Sequence, residues 1–288
     1  MRRSLAALAL VILLAGIGCG CQPADSGAAS SGEPLKDYPV TVFEVAVTEC
    51  PQRVVSLSPA VTEILVELGS DAQLVGVSDA CTVTRELPHV GTTVSPNLDA
   101  VAALEPDVVF TTTALSQQDQ AAMEATGAKV IPVPGVARYR QLSTLYTRVA
   151  QVVSGSITGT RNAANTVDRL DETLQTFAKP TPARPLVAYY TATLLIPTGG
   201  LADEWIAFAG GVNVAPGERA DDAAVAASGA SLLLCDASLT EEMQRRFPQM
   251  QVVAFDIAAL ESCGGRMTAA VTELNRVLTA AEDGAEKN

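Results

Sequence analysis

Between Ile157 and Phe177 the chain has no proline and one glycine, Gly159, while Val167, Leu170, Leu174 and Phe177 recur at alternating steps of three and four. This stretch predicts one helix of 21 residues, about 31 Å long at 1.5 Å per residue, enough to run across one face of two packed domains. Lys179–Pro185 (KPTPARP) ends it, because proline cannot continue a helix.

On either side of that helix the pattern is the same. Before it, Val40, Val42, Val45 and Val47 alternate and Val54–Leu57 forms the first buried strand. Ser58 and Pro59 are then placed as helix N-cap and first helical residue. Val61, Ile64, Leu65 and Leu68 make one helical face, closed by Gly69. Short apolar runs follow at Leu74–Val77, Val108–Phe110 and Val130–Val133, separated by helical patterns at Leu98–Leu104 and Gln117–Thr126. After the long helix come strands at Leu186–Tyr190, Ser231–Leu234 and Gln251–Phe255, with helices at Ala202–Ala209, Asp222–Ala227 and Met267–Ala281. Strands alternating with helices predict an α/β fold: two Rossmann-like lobes with mostly parallel sheets, joined by one long helix. The halves also echo each other: Asp99–Thr112 laid over Asp222–Cys235 pairs Asp99 with Asp222, Ala100 with Ala223, and Val109 and Phe110 with Leu232 and Leu233.

The segment before the lobes reads as address and leash. Arg2 and Arg3 precede an apolar run, Leu5–Ile17, that is shorter than the roughly 20 residues a membrane-spanning helix needs, which is the form of an export signal. Gly16, Ile17, Gly18 and Cys19 resemble a bacterial lipoprotein lipobox, with Cys19 as the lipidated residue and Cys21 as a second thiol nearby. The alternative is an ordinary secretory signal. From Gly20 to Pro34 the chain is rich in Gly, Ser, Ala and Pro and is expected to be a tether. The expected division is therefore signal 1–18, tether 19–37, N-terminal lobe 38–153, interlobe helix 154–179 and C-terminal lobe 180–288. With 19 basic against 32 acidic residues the formal charge is −13, and losing Arg2 and Arg3 makes it more negative. Nucleic acid, whose binding rests on clustered Lys and Arg, is not an expected partner.

Ligands of open α/β sheets bind beyond the carboxyl ends of the strands, so two such lobes would meet across a cleft. Loops at the predicted strand ends supply Ser58, Pro59, Ser78, Asp79, Thr93, Thr112, Thr113, Pro134, Tyr190, Thr191, Asp236 and Asp256 as ligand-binding candidates. Each is also the residue type that turns and caps use. Among aromatic residues, Tyr139, Tyr189, Tyr190 and Trp205 are the ones to weigh. Trp205 sits among apolar neighbours and is expected in the core, and Tyr189 and Tyr190 alternate, so one of them faces each side of the sheet. Arg266 is read as a cap of the preceding loop rather than an anion ligand.

Arg53–Gly69 (RVVSLSPAVTEILVELG), Leu74–Asp79 (LVGVSD), Pro88–Gly91 (PHVG) and Pro96–Asp107 (PNLDAVAALEPD) resemble, in order and spacing, the solute-binding proteins of ABC importers for cobalamin and iron complexes. The likeness continues through Gly210, Gly211 and Asn213, and thinly through Gly265 and Arg266, covering about Cys50 to Leu278. It implies a helical-backbone (class III) solute-binding protein, monomeric and lipid-anchored outside the cytoplasm. Such a protein captures a corrinoid, haem or ferric siderophore between its lobes and hands it to an ABC permease. It implies no cofactor and no catalysis. In that family an acid on each lobe pairs with permease arginines, and Asp99 and Asp222 occupy the matching positions. Each is equally a first-turn acid complementing its own helix dipole, an effect of about 0.3–1 kcal/mol.

Other chemistries find little support. A bare-metal site wants two or three imidazoles and the chain has one, His89. Cys50 and Cys81 fall at opposite ends of a strand of ~15 Å, beyond the ~7 Å reach of a disulfide. Cys235 and Cys263 both follow strands of the second lobe and are the expected disulfide pair. Two facing α/β lobes also describe enzymes acting on nucleotides or sugars, yet there is no Walker loop, no GxGxxG after a strand, no GxSxG, and Gly199–Gly200 lack the rest of a phosphate fingerprint. A non-transport ligand sensor on the same fold is the remaining alternative.

Overall fold

The computed structural model describes residues 36–112, 115–177 and 183–280. The export signal, Cys19, nearly all of the tether, Thr113 and Lys179 lie outside the described residues. The described body is one compact unit, and among the described residues no helix is long and apolar enough to cross a membrane.

The alternating valines form a hairpin of β1 (Val40–Val42) and β2 (Val45–Val47), turned by Phe43 and Glu44, both at positive φ as a type I′ turn demands. The first lobe then runs β3 (Val54–Ser56), α1 (Pro59–Glu67), β4 (Leu74–Val77), α2 (Leu98–Ala103), β5 (Val108–Thr112), α3 (Gln117–Glu124) and β6 (Lys129–Val133). Its sheet is all parallel, in the order β4-β3-β5-β6. Ser58 caps α1 by accepting from Val61 N, with Pro59 inside the first turn.

Two helices lead to the second lobe. The expected long helix is α5 (Ser156–Gln175), and before it stands α4 (Tyr139–Ser154), absent from the expected helices. Buried Leu142, Leu145, Tyr146, Val149, Ala150, Val152 and Val153 give α4 a continuous apolar face of helical period. The pair pack closely: a Cβ on Gly159 would lie 2.4 Å from the carbonyl oxygen of Ala150, so only glycine lets the backbones meet there.

The second lobe runs β7 (Arg184–Thr191), β8 (Leu194–Leu195), α6 (Leu201–Phe208), β9 (Gly211–Asn213), α7 (Asp222–Ala227), β10 (Leu232–Cys235), α8 (Thr240–Arg246), β11 (Gln251–Ala254), a 3₁₀ turn (Ile257–Glu261) and α9 (Gly265–Ala280). Its sheet order is β11-β10-β7, with β9 parallel along the first half of β7 and β8 antiparallel along its end. Ignoring β8, both sheets have the order second-first-third-fourth.

The echo is therefore real, but one residue out of the expected register. Asn97 and Asp221 are the matching caps, accepting from Ala100 N and Ala224 N. In this frame Ala100, Val101, Ala102 and Ala103 fall on Ala224, Val225, Ala226 and Ala227. Glu105 and Gly229, both at positive φ, end the two helices. Val109 and Leu233 then both face outward while Phe110 and Leu234 both face inward. The unshifted pairing put inward residues on outward ones, because strand side chains alternate faces.

The inner faces share a core. Val54, Phe110, Leu142, Leu170, Leu186, Trp205, Leu234 and Leu274 belong to one apolar cluster reaching from the first sheet through α4 and α5 to α9. Each fully buried Leu or Phe contributes about 1.5–3 kcal/mol. Separate outer clusters cover the far faces, Val55 with Val101 and Met123 on one lobe, Val187 with Met243 and Phe247 on the other.

Candidate functional site

The carboxyl ends of the strands of both lobes carry the candidates, and the structure divides them. Ser58 and Ser78 are buried. Ser56 Oγ donates to Ser58 O at 3.0 Å, Thr62 Oγ1 to Ser56 Oγ at 2.8 Å, and Ser78 Oγ lies 3.2 Å from the Cys81 thiol. The hydroxyls of Ser56, Thr62 and Ser78 are thus satisfied inside the first lobe with the Cys81 thiol, and that of Ser58 is taken by Val61 N. Pro59 and Thr93 are half-buried, Pro134 and Thr191 exposed. Asp79 is exposed beside His89, at 3.7 Å. Asp236 caps the turn after β10 by accepting from Ser238, which holds its carboxyl below the ordinary range.

Thr112 and Tyr190 differ from the rest. They end β5 and β7, one on each lobe, and by strand alternation lie on the inner faces with Phe110 and Ala188. The Thr112 hydroxyl oxygen is buried without a hydrogen-bond partner among the described residues, while the Tyr190 phenol is engaged by the Glu261 carboxylate. Burial, with the Glu261 carboxylate nearby, raises the Tyr190 phenol above its usual value. Tyr189 faces the other way, against Phe247. Trp205 is fully buried, with Tyr139 edge-on at 5.1 Å.

The inner helices α1, α4, α6 and α9 all begin at this end of the sheets, and their amino termini are closed by the chain itself. Gln141 Oε1 accepts from Ala137 N and Arg138 N, and Glu204 Oε2 from Tyr139 N at 2.6 Å. Asp203 Oδ2 accepts from Gly199 N at 2.7 Å. Glu63 Oε2 reaches from α1 to Cys263 N at 2.8 Å. The arginines are committed too: Arg138 pairs with Glu204 at 3.1 Å. Arg266 is no loop cap; it bridges Asp256 at 3.1 Å and Glu63 at 3.6 Å, tying the lobes together, while Asp256 itself caps the preceding turn. Gln141 at the third helical position was a readable capping signal. Glu63 and Glu204 carried none, because their partners lie far away in sequence.

The two expected docking acids are not equivalent. Asp99 is exposed at the second position of α2, and its carboxylate has no ion-pair partner among the described residues. Asp222, at the first position of α7, is gripped by Arg246 through contacts of 2.5 and 3.3 Å, which holds its carboxyl below the ordinary range. Arg246 also donates to Ala192 O at 2.6 Å and lies over Tyr189.

Cys235 and Cys263 are free, which corrects the expected disulfide. Cys235 belongs to the outer cluster and Cys263 to the shared inner core, so the second sheet stands between them. Burial, with Glu63 close by, pushes the Cys263 thiol up to about 12. Two surface cavities of about 600 Å³ lie elsewhere: one along α5 and α9 around Arg169, Thr173 and Thr268, the other around Cys50, Gln52 and Asp107 at the amino ends of the first sheet. Neither contains a strand-end candidate; depth and topology disagree, and in open α/β sheets the carboxyl ends are where ligands meet the fold.

Comparison with known proteins follows the same line. The family profile described as periplasmic binding protein matches residues 54–229. The ABC transporter substrate-binding lipoprotein YvrC of Bacillus subtilis is 32% identical over 112 residues, 36% of this chain and 35% of YvrC, so the match spans about a third of that relative's length. Two solved structures share the fold. One is the periplasmic heme-binding protein RhuT of Roseiflexus sp. RS-1 (21% identity, 80% of this chain and 98% of that one, TM-score 0.67). The other is the periplasmic vitamin B12 binding protein BtuF of Vibrio cholerae (19%, 81% and 98%, TM-score 0.63). With a family match over more than half of the chain, from the first lobe into the second, and a two-lobe fold that agrees with it, this chain belongs to the periplasmic binding protein family.

Proposed function

We propose that the protein is the extracytoplasmic solute-binding component of an ABC importer, held to a membrane by lipidated Cys19. It captures a corrinoid or an iron complex (haem or a ferric siderophore) where the strand ends of its lobes meet, and presents it to a permease. The observation that carries this reading is the pair of same-order sheets sharing one core across α4 and α5, so that the carboxyl ends of the strands of both lobes lie at one end of the body. A core common to both lobes limits hinge motion, so loading changes the shape only modestly. Permease docking through Asp99 and Asp222 is part of the same reading, and the protein acts as a monomeric binder without cofactor or catalysis.

The test is thermal unfolding of the purified protein with cyanocobalamin, cobinamide, haemin and ferric siderophores. A true ligand stabilises by about 2.7 kcal/mol at a hundredfold excess over its dissociation constant. No shift with any of them overturns the assignment. Trp205, being fully buried, reports unfolding rather than ligand contact. Replacing Cys19 with Ser should release the protein from the membrane fraction; continued membrane retention would remove the anchor.

A further inference from the structure

The lobes meet where the chain enters α9, and the contact is built around one residue. Glu63, on α1 of the first lobe, spends both carboxylate oxygens on the second. Its Oε2 accepts from Cys263 N at 2.8 Å, and its Oε1 lies 3.6 Å from Arg266, whose other branch holds Asp256. The Cys263 carbonyl accepts from the Tyr146 hydroxyl of α4 at 2.7 Å. The N–H and the C=O of Cys263 are thus both held by side chains from outside its own lobe. These bonds are shielded from water: the Glu63 side chain is 11% exposed, and Tyr146 and Cys263 are buried. A hydrogen bond to a carboxylate at such a place is strong and directional, whereas the more exposed pair of Arg138 with Glu204 adds little by its charge alone.

Two glycines follow. Neither Gly264 nor Gly265 takes a positive φ, so the backbone conformation asks for glycine at neither. Close approach asks for it at the first. A Cβ on Gly264 would stand 2.8 Å from Glu63 Cβ and 3.3 Å from the Glu63 carbonyl carbon and oxygen, atoms that move only if α1 moves. A Cβ on Gly265 would stand 2.6 Å from Glu67 Oε1, the far end of a side chain that can swing away.

We propose that Cys263 is the pin that sets the spacing of the two lobes, with Glu63 and Tyr146 as its positioning residues and Gly264 as the gap that lets α1 close onto it. The width of the strand-end mouth is then fixed at this seam, and not by the α4–α5 pair alone. The inference goes beyond the solute-binding reading and holds whatever enters the mouth.

The experiment uses the unloaded protein, full chain. A keto-bearing amino acid at exposed Gln118, in the first turn of α3, and at exposed Glu241, in the first turn of α8, carries one nitroxide on each lobe without touching the cysteines. Electron–electron double resonance then reads the distance between the lobes. The parent should give one narrow distance. Glu63→Ala, Tyr146→Phe and Gly264→Ala should each shift or broaden it by about 2 Å or more. Glu63→Gln, which still accepts from Cys263 N, should keep the parent distance, and so should Gly265→Ala. A second pair within the first lobe, at Gln118 and exposed Glu86, should stay constant in every variant. The parent distance in both Glu63→Ala and Tyr146→Phe overturns the proposal, even where Gly264→Ala does not fold. So does a Glu63→Gln distance equal to that of Glu63→Ala, a displacement by Gly265→Ala as large as that by Gly264→Ala, or a change in the pair within the first lobe. No ligand enters the measurement, so its failure leaves the solute-binding reading standing.

Discussion

The two lobes repeat one strand order, yet they present their acids differently. At the start of α2, Asp99 stands free in solvent. At the start of α7, Asp222 belongs to a clamp in which Arg246 joins α7, α8 and the turn after β7. The corrected register explains this: Asp99 is matched by Ala223 and Asp222 by Leu98, so neither acid descends to its place through the repeat. A shared fold fixes where helices begin, while the side chain on each first turn is set separately.

The largest expected effect tests that difference in function. Asp99→Lys and Asp222→Lys should each bring ligand uptake by cells to background while leaving ligand-induced stabilisation of the purified protein intact, and Asp222→Lys alone should also lower the melting temperature. Surviving uptake in either variant would remove that acid from docking.

Next comes the core the lobes share. Phe110→Ala on the first lobe and Leu234→Ala on the second should cost about 3–5 and 2–5 kcal/mol, and each should shift one common melting transition, because both side chains belong to a single cluster. Two separate transitions in calorimetry would show the lobes to be thermodynamically independent.

A smaller effect isolates the clamp. Arg246→Ala removes the hydrogen bond to the half-buried Ala192 carbonyl and the pair with exposed Asp222, and should cost about 1 kcal/mol, against less than about 0.5 kcal/mol for Asp99→Ala at an exposed site. Equal costs in chemical denaturation would erase the asymmetry.

The smallest effect is in acid. Hydrogen bonds from Arg246 depress the folded pKa of Asp222. Such a group stabilises the fold above its unfolded value of about 3.9 and loses that contribution as pH falls through the lowered folded value. Asp222→Asn should therefore flatten the stability profile below about pH 4, and an unchanged profile would mean the pair contributes nothing measurable.

Most elements were legible because their signals are local. The alternation of the β1–β2 valines, the Ser58–Pro59 start of α1 and the period of α5 are each complete within a few residues. Helix α4 had the same period, but its apolar face begins only at Leu142, after a Pro-Gly loop. The site was legible in position and not in use. Strand ends could be counted off, but that Ser58 and Ser78 spend their hydroxyls internally, that Arg266 spans to Glu63, and that a sheet separates Cys235 from Cys263 depend on which face each residue takes and on partners about 200 positions away. Thr112 and Tyr190 emerge from the candidates only once the inner face that each side chain takes is seen.

One contact at the edge of the body bears on handling the protein. Asp37 accepts from Ile157 N and Thr158 N at 2.8 and 3.0 Å and takes the Thr158 hydroxyl, while Tyr38 donates to Val152 O. The chain thus enters the body at the corner between α4 and α5, at the amino ends of the first sheet, where Cys50 and Gln73 also meet Val153. The strand-end mouth is at the other end. A label or linker attached at Lys36 itself is therefore expected at the far end of the body from the mouth, clear of whatever enters there.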